Sequence, residues 1–167
     1  IVKSENGWSK ENWQQFAELG LLAAPFSEEF GGLDGGPIET MIIMEEFGRG
    51  LVVEPYLPTV VLCGGILNRH ASADQKNTYL PGLIGGENVW SLAYAEPQSR
   101  FNLADVLTSA KKDGEGYVLN GAKAVVIGAP WADKLIVSAR VSGDQRDTSG
   151  LALFVVDKAS AGVSTQD

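Results

Sequence analysis

Side chains able to carry chemistry are few in this chain of 167 residues, and most stand alone. Cys63 is the only cysteine and His70 the only histidine. That excludes an internal disulfide framework and any cysteine-cluster metal site, and it argues against an imidazole-built zinc site or a histidine-based triad. No metal site is expected. His70 follows Arg69 at the end of a helical pattern, where the helix dipole favours a cation, and it reads as structural. The serines and threonines lack a G-x-S-x-G context. The adjacent carboxylates Glu28-Glu29 and Glu45-Glu46 point about 100° apart on a helix, so neither pair shares a site for acid–base work. Glu96 is set differently. In Ala95-Glu96-Pro97 it ends a strand-like run before a proline that constrains the departing chain, and its carboxylate is expected to bond local N–H groups rather than to catalyse. The run Gly31-Gly32-Leu33-Asp34-Gly35-Gly36 leads into a helix start and so forms a generic anion site. It lacks the Lys and Ser/Thr of a P-loop, and a loop packed under neighbouring helices is the expected reading.

Two kinds of pattern hold these residues. Before residue 87 the apolar spacing is helical; after it, alternation and short apolar runs prevail. Trp13, Phe16, Ala17 and Gly20 share one face of a helix over about 9–19, with Ser9 as N-cap and Gly20 as terminator. Pro37 opens a helix to about Arg49 that is apolar on most of its circumference and is therefore expected to be buried. A third helix, over about 58–69, contains Gly64-Gly65, a pair that predicts close approach of another backbone. The fourth starts at Ser72, with Gln75 in the capping-box position, and runs toward Leu83, bent or ended by Pro81. Strands are predicted over 89–95, 107–112, 117–127, 135–141 and 151–156, with a compact hairpin turn at Asp113-Gly114 and an exposed loop at SGDQRDTSG. No helix intervenes, which favours an antiparallel barrel or sandwich over a βαβ sheet.

Acidic side chains outnumber basic ones, 21 to 13, for a formal charge of −8, and no basic block occurs. Nucleic acid and anionic membrane surfaces demand clustered Lys and Arg, so neither is an expected partner. No apolar run approaches the roughly 20 residues that span a bilayer, and the start IVKSENGWSK lacks the apolar core of a signal peptide. A cytoplasmic protein is expected. The absence of an initial Met and the stop at GVSTQD directly after a strand-like run give the further expectation that the chain is a piece of something longer.

Several segments, in order, resemble a known family. FAELGLLAAPFSEEFGGLDGG (16–36), EEFGR (45–49), ADQKNTYLPGLIGGE (73–87), LAYAEP (92–97) and GYVLNGAKAVVIGAPWADKLIVSAR (116–140) are similar to the flavin-dependent acyl-CoA dehydrogenases across almost the whole chain. The resemblance implies an α+β protein: an N-terminal α-helical domain over 1–86, then an antiparallel β-barrel-like middle domain over 87–167, incomplete. The family's C-terminal four-helix domain is expected to be missing. It implies FAD as cofactor and an acyl-CoA thioester as substrate. A carboxylate takes the Cα proton while the Cβ hydride passes to the flavin, which an electron-transferring flavoprotein reoxidises. The catalytic carboxylate normally belongs to the absent domain, so no catalytic residue is assigned here.

The family's flavin contacts carry over only in part. Tyr94 and Ala95, before Glu-Pro, are implied to offer backbone groups to the ring, although Ala95 replaces the usual Thr. After Pro97 the usual Gly-Ala-Gly-Ser-Asp becomes Gln98-Ser99-Arg100-Phe101-Asn102, in which Arg100 either substitutes as the phosphate contact or pairs with Asp105. The usual Lys-x-Trp-Ile-Thr becomes Lys123-Ala124-Val125-Val126-Ile127. Val125 can pack on a ring without stacking as an indole, Ile127 brings no donor, and Trp131 either fills the vacated place or joins the core. Tyr94, Ala95, Arg100, Phe101, Val125 and Ile127 are thus the candidate cofactor-binding residues. These departures resemble the divergent dehydrogenases found in unequal pairs, such as pimeloyl-CoA or steroid side-chain acyl-CoA dehydrogenases. They imply a homo- or hetero-oligomer, and leave open a non-catalytic partner subunit or a plain acyl-CoA-binding module.

Overall fold

A computed structural model describes Lys3 and residues 7–166. Half of the start IVKSENGWSK, on which the absence of a signal-peptide core was read, lies outside the described residues, as does residue 167. The chain divides into two compact units, the first ending at Trp90 and the second beginning at Ser91.

The first unit is helical. Helix α1 (Lys10–Glu18) starts where the Ser9 hydroxyl accepts the Asn12 N–H, and it ends before Gly20, whose φ of 77° no side-chain-bearing residue adopts cheaply. Its Trp13 is buried and donates its indole N–H to the Gly86 carbonyl at 3.2 Å. Helix α2 (Pro37–Arg49) has Pro37 in its first turn, as predicted, and the Glu39 carboxylate accepts the Gly36 N–H at 2.7 Å. Its burial does not follow the sequence expectation: no residue of α2 is buried, and Ile38, Met41 and Ile42 are exposed. Helical spacing gathers apolar residues into a stripe, but a neighbouring segment must cover it. Within this unit the aromatic contacts of α2 come from Phe47, stacked on Phe16 with ring centroids 4.9 Å apart and edge-on to Tyr56.

The predicted third helix is two elements, a π-helical stretch over Leu57–Gly64 and helix α3 (Gly65–His70). The glycine pair is explained differently from the expectation. A Cβ on Gly64 would lie 2.6 Å from the Phe26 ring, so a side chain occupies the space, and Gly65 faces nothing within 4 Å. Helix α4 (Ala73–Ile84) carries the predicted capping box: Ser72 Oγ accepts the Gln75 N–H and Gln75 Oε1 accepts the Ser72 N–H. Pro81 lies within it and does not end it, because in the last turn a missing N–H forfeits a single bond. Leu80 and Leu83 are fully buried, each worth about 1.5–3 kcal/mol of transfer free energy.

The second unit is a five-stranded sheet: β1 (Trp90–Ala93, which starts on the boundary residue), β2 (Ser109–Asp113), β3 (Gly116–Asn120), β4 (Lys134–Arg140) and β5 (Leu151–Asp157). The β2–β3 hairpin turns through Gly114 (φ 58°) and Glu115, as the sequence predicts. Strands β4 and β5 pair antiparallel along their whole lengths, from Lys134↔Asp157 to Arg140↔Leu151. The order β1-β4-β2-β3, with β5 also on β4, brings β2 beside β4 in parallel at Ser109↔Arg140, one exception to the antiparallel expectation. Ala93, Ala132, Leu135 and Val137 form one buried apolar cluster of this unit, with Leu119, Val126, Val156 and Val163 packed against it.

Candidate functional site

The site is organised by a carboxylate that sequence reading treats as structural. Glu96 lies just past β1, where Ser99 closes a turn after Pro97: the Glu96 N–H donates to Ser99 Oγ at 3.0 Å and Ser99 Oγ donates to the Glu96 carbonyl at 2.9 Å. The Glu96 side chain is buried and accepts five hydrogen bonds. They come from the Leu107 N–H (2.7 Å), Gln98 Nε2 (2.8 Å), the Thr108 N–H (3.0 Å), Thr108 Oγ1 (2.6 Å) and Lys123 Nζ (2.7 Å). Burial alone pushes this carboxyl up, but the bonds from Lys123, Thr108, Gln98 and Leu107 outweigh it and hold the pKa down at about 2. Two strand ends predicted from sequence are shortened here. Leu107 and Thr108 spend their N–H groups on Glu96, so β2 begins at Ser109. At Gly121 a Cβ would fall 2.4 Å from Thr108 Oγ1, and the chain leaves the sheet after Asn120.

Lys123 is the residue whose role the sequence reading missed; its place beside Val125 in the second candidate segment was the available signal. Its side chain is 8 % exposed and that of Glu96 2 %, so this is a buried ion pair. Burial pushes the Lys123 pKa down and Glu96 counteracts it. Nζ also donates to Ser138 Oγ on β4 at 3.0 Å and reaches the Tyr94 carbonyl at 3.4 Å, while Ser138 Oγ donates to that same carbonyl at 3.3 Å. The Ala124 N–H donates to the Ala95 carbonyl at 2.9 Å. These contacts bind segment 94–96 to segment 123–125.

Tyr94, Ala95 and Val125 are therefore brought together, and Ile127 follows two residues on. The carbonyls of Tyr94 and Ala95 are spent inside the chain, so of the backbone groups implied for them the carbonyls are committed. Among the described residues, no acceptor receives the N–H of Ala95, Val125 or Ile127. Tyr94, Val125 and Ile127 are exposed, Val125 by 85 %. Val125 also has φ 52°, a left-handed conformation that is a real outlier for a β-branched residue. Such strain persists only where surrounding contacts impose it, and here the Ala124–Ala95 and Lys123 contacts do so.

Arg100 and Phe101 are not gathered onto this ledge. They lie at the tip of the turn after Glu96, Arg100 with φ 48° and Phe101 100 % exposed. Of the two readings for Arg100, pairing with Asp105 fails: the Asp105 carboxylate instead takes Gln145 Nε2 at 2.6 Å and Arg146 Nε at 2.8 Å, which lower its pKa. Trp131 is half-buried in a short 3-10 turn, Ala129–Trp131. The loop predicted between the last strands is largely exposed but folds around buried Arg140, whose guanidinium donates to the carbonyls of Ala104, Val106, Ser142, Gln145, Asp147 and Ser149. The glycine-rich loop is no anion cradle. Every amide from Gly31 to Gly36 donates within the chain, five to carbonyls and Gly36 to Glu39.

Residues 2–87 match the acyl-CoA dehydrogenase N-terminal domain and residues 91–167 the middle domain of the same enzymes. The chain belongs to the acyl-CoA dehydrogenase family. It is 36 % identical over 159 residues to mitochondrial isovaleryl-CoA dehydrogenase of Pongo abelii, covering 93 % of this chain and 38 % of that protein. Among solved structures it is similar to an FAD complex of PigA, at 28 % identity and TM-score 0.85, over 96 % of this chain and 43 % of that one. It is also similar to the ChsE4–ChsE5 complex of Mycobacterium tuberculosis, at 27 % identity and TM-score 0.82, over 97 % and 42 %. The chain spans 37 % and 38 % of two curated relatives it matches. Within the family, the helical first unit and the sheet of the second are the expected α+β architecture. No helix among the described residues is long and apolar enough to cross a membrane.

Proposed function

We propose that this chain is the FAD-holding part of an acyl-CoA dehydrogenase that introduces an α,β double bond into an acyl-CoA thioester. The observation that carries the reading is the ledge itself. Ala95, Val125 and Ile127 present unspent N–H groups beside exposed apolar side chains, on two segments locked together by a buried ion pair. Exposed apolar surface with unspent donors suits a flat heteroaromatic ring bearing nitrogen and oxygen acceptors at its edge. The donor set fits FAD through main-chain groups, with the N–H of Ala95 in place of the hydroxyl a Thr would bring.

When bound, FAD supplies the two-electron acceptor for the substrate hydride. This chain's residues do the holding. Tyr94 and Val125 cover apolar ring surface, Ala95 and Ile127 donate N–H groups, and Arg100 and Phe101, on their exposed turn, are free to meet a phosphate and an aromatic or ribose face. No residue here is assigned as the base that takes the substrate proton. An electron-transferring flavoprotein is the proposed electron acceptor, the cytoplasm the proposed compartment, and a homo- or hetero-oligomer the proposed assembly. The domains are proposed to divide at 86/87.

A second reading is favoured by one observation: the hydroxyl and indole that the family usually brings to the flavin are replaced by Ala95 and Val125. A partner subunit that lends walls to a neighbour's site would have that composition. Titrating the purified protein with FAD, alone and with any co-purifying subunit, while following flavin absorbance decides between them. A stoichiometric yellow complex supports the enzyme. A colourless protein that FAD cannot reconstitute, with or without the partner, rules the enzyme out.

A further inference from the structure

The three groups around the Tyr94 carbonyl have a geometric consequence for the ledge. All peptide bonds among the described residues are trans, so the carbonyl of one residue and the N–H of the next point in opposite directions across a rigid plane. The Tyr94 carbonyl is drawn inward by Lys123 Nζ at 3.4 Å and Ser138 Oγ at 3.3 Å. The Ala95 N–H in the same plane is thereby turned outward. In the next plane the Ala95 carbonyl takes the Ala124 N–H, and the Glu96 N–H points the opposite way, to Ser99 Oγ.

We propose that Lys123 is a positioning residue that aims the Ala95 N–H at the bound cofactor. This rests on the FAD reading above. Lys123 reaches the site from β3's side of the chain, Ser138 from β4, and Glu96 fixes Nζ where it can serve both Ser138 and Tyr94. Glu96 thus acts on the ledge through Lys123. Ser138 Oγ shares the role, and Lys123 holds both by donating to Ser138 Oγ as well as to the Tyr94 carbonyl.

The test uses the full protein and two readouts, FAD dissociation constant by flavin titration and amide hydrogen exchange at Ala95 with and without FAD. In the unaltered protein FAD slows exchange at Ala95. Lys123→Met raises the dissociation constant about tenfold and removes that slowing. Ser138→Ala leaves the ion pair in place and produces a smaller loss in the same direction, about threefold, and it carries the test if Lys123→Met fails to fold. Arg146→Ala, which removes an exposed guanidinium from the buried Asp105 carboxylate and leaves Lys123, Ser138 and Tyr94 untouched, leaves both readouts unchanged. The proposal is overturned if a folded Lys123→Met, or Ser138→Ala in its place, keeps the original affinity and the Ala95 protection. It is also overturned if Arg146→Ala lowers FAD affinity as much as these variants do. An unaltered protein that does not bind FAD overturns the functional reading, and this inference with it.

Discussion

Glu96→Gln is the most informative single change, because its cost follows from the count of donors around the carboxylate. Five donors converge on two oxygens: Leu107 N and Gln98 Nε2 on Oε2, and Thr108 N, Thr108 Oγ1 and Lys123 Nζ on Oε1. An amide accepts on one side only, so in either orientation its NH2 faces at least two donors, and Lys123 loses its counter-charge in a buried place. Removing one partner of a buried ion pair costs about 3–5 kcal/mol. The fall of the Glu96 pKa from 4.5 to about 2 leads to a similar figure of about 3 kcal/mol. The folded-state value lies below the unfolded one, so this contribution is complete above pH 4.5 and is lost as pH falls toward 2. Urea unfolding of both proteins across that window is the assay. Glu96→Gln should be about 3 kcal/mol less stable near neutral pH, with a flatter acid dependence between those limits. A loss below about 1 kcal/mol, the worth of an ordinary neutral hydrogen bond, or an unchanged acid slope, would refute the account of Glu96 as the centre of the site.

Val125→Gly should stabilise the protein by about 1 kcal/mol in chemical unfolding, since it relieves a left-handed β-branched residue that is 85 % exposed and has little packing to lose. The same variant should weaken FAD binding by removing apolar cover. Ala95→Thr should fold and bind FAD more tightly, because it restores a hydroxyl on the ledge; unchanged or weaker binding on titration counts against the placement of residue 95. Gly32→Ala should destabilise by more than about 2 kcal/mol, because its Cβ would fall 2.0 Å from the Phe26 carbonyl oxygen. A melting temperature equal to that of the unaltered protein would show that the loop does not pack as described.

Features encoded by neighbours along the chain were legible in the sequence. The Ser9 and Ser72 caps, Pro37 at a helix start and the Gly114 turn each depend on residues within a few positions, and all appear where their types predict. Glu96 accepts N–H groups as its place in the sequence suggests, but only Gln98 is local: its other donors, Leu107, Thr108 and Lys123, lie 11, 12 and 27 residues away. Burial of α2 was not legible, because periodicity describes the helix and exposure depends on what lies against it. The spent carbonyls of Tyr94 and Ala95 were equally invisible, since their partners at Lys123, Ala124 and Ser138 are 29 to 44 residues distant.

The sequence by itself determined which segments are helices and strands and which family they resemble, because both rest on residue types and short spacings. Only the tertiary structure decided that two distant segments form one ledge, that the Tyr94 carbonyl faces inward and the Ala95 N–H outward, and that Arg100 and Phe101 stand apart from it. The direction of a peptide plane is set by whatever holds its carbonyl, and here the holder comes from another part of the chain.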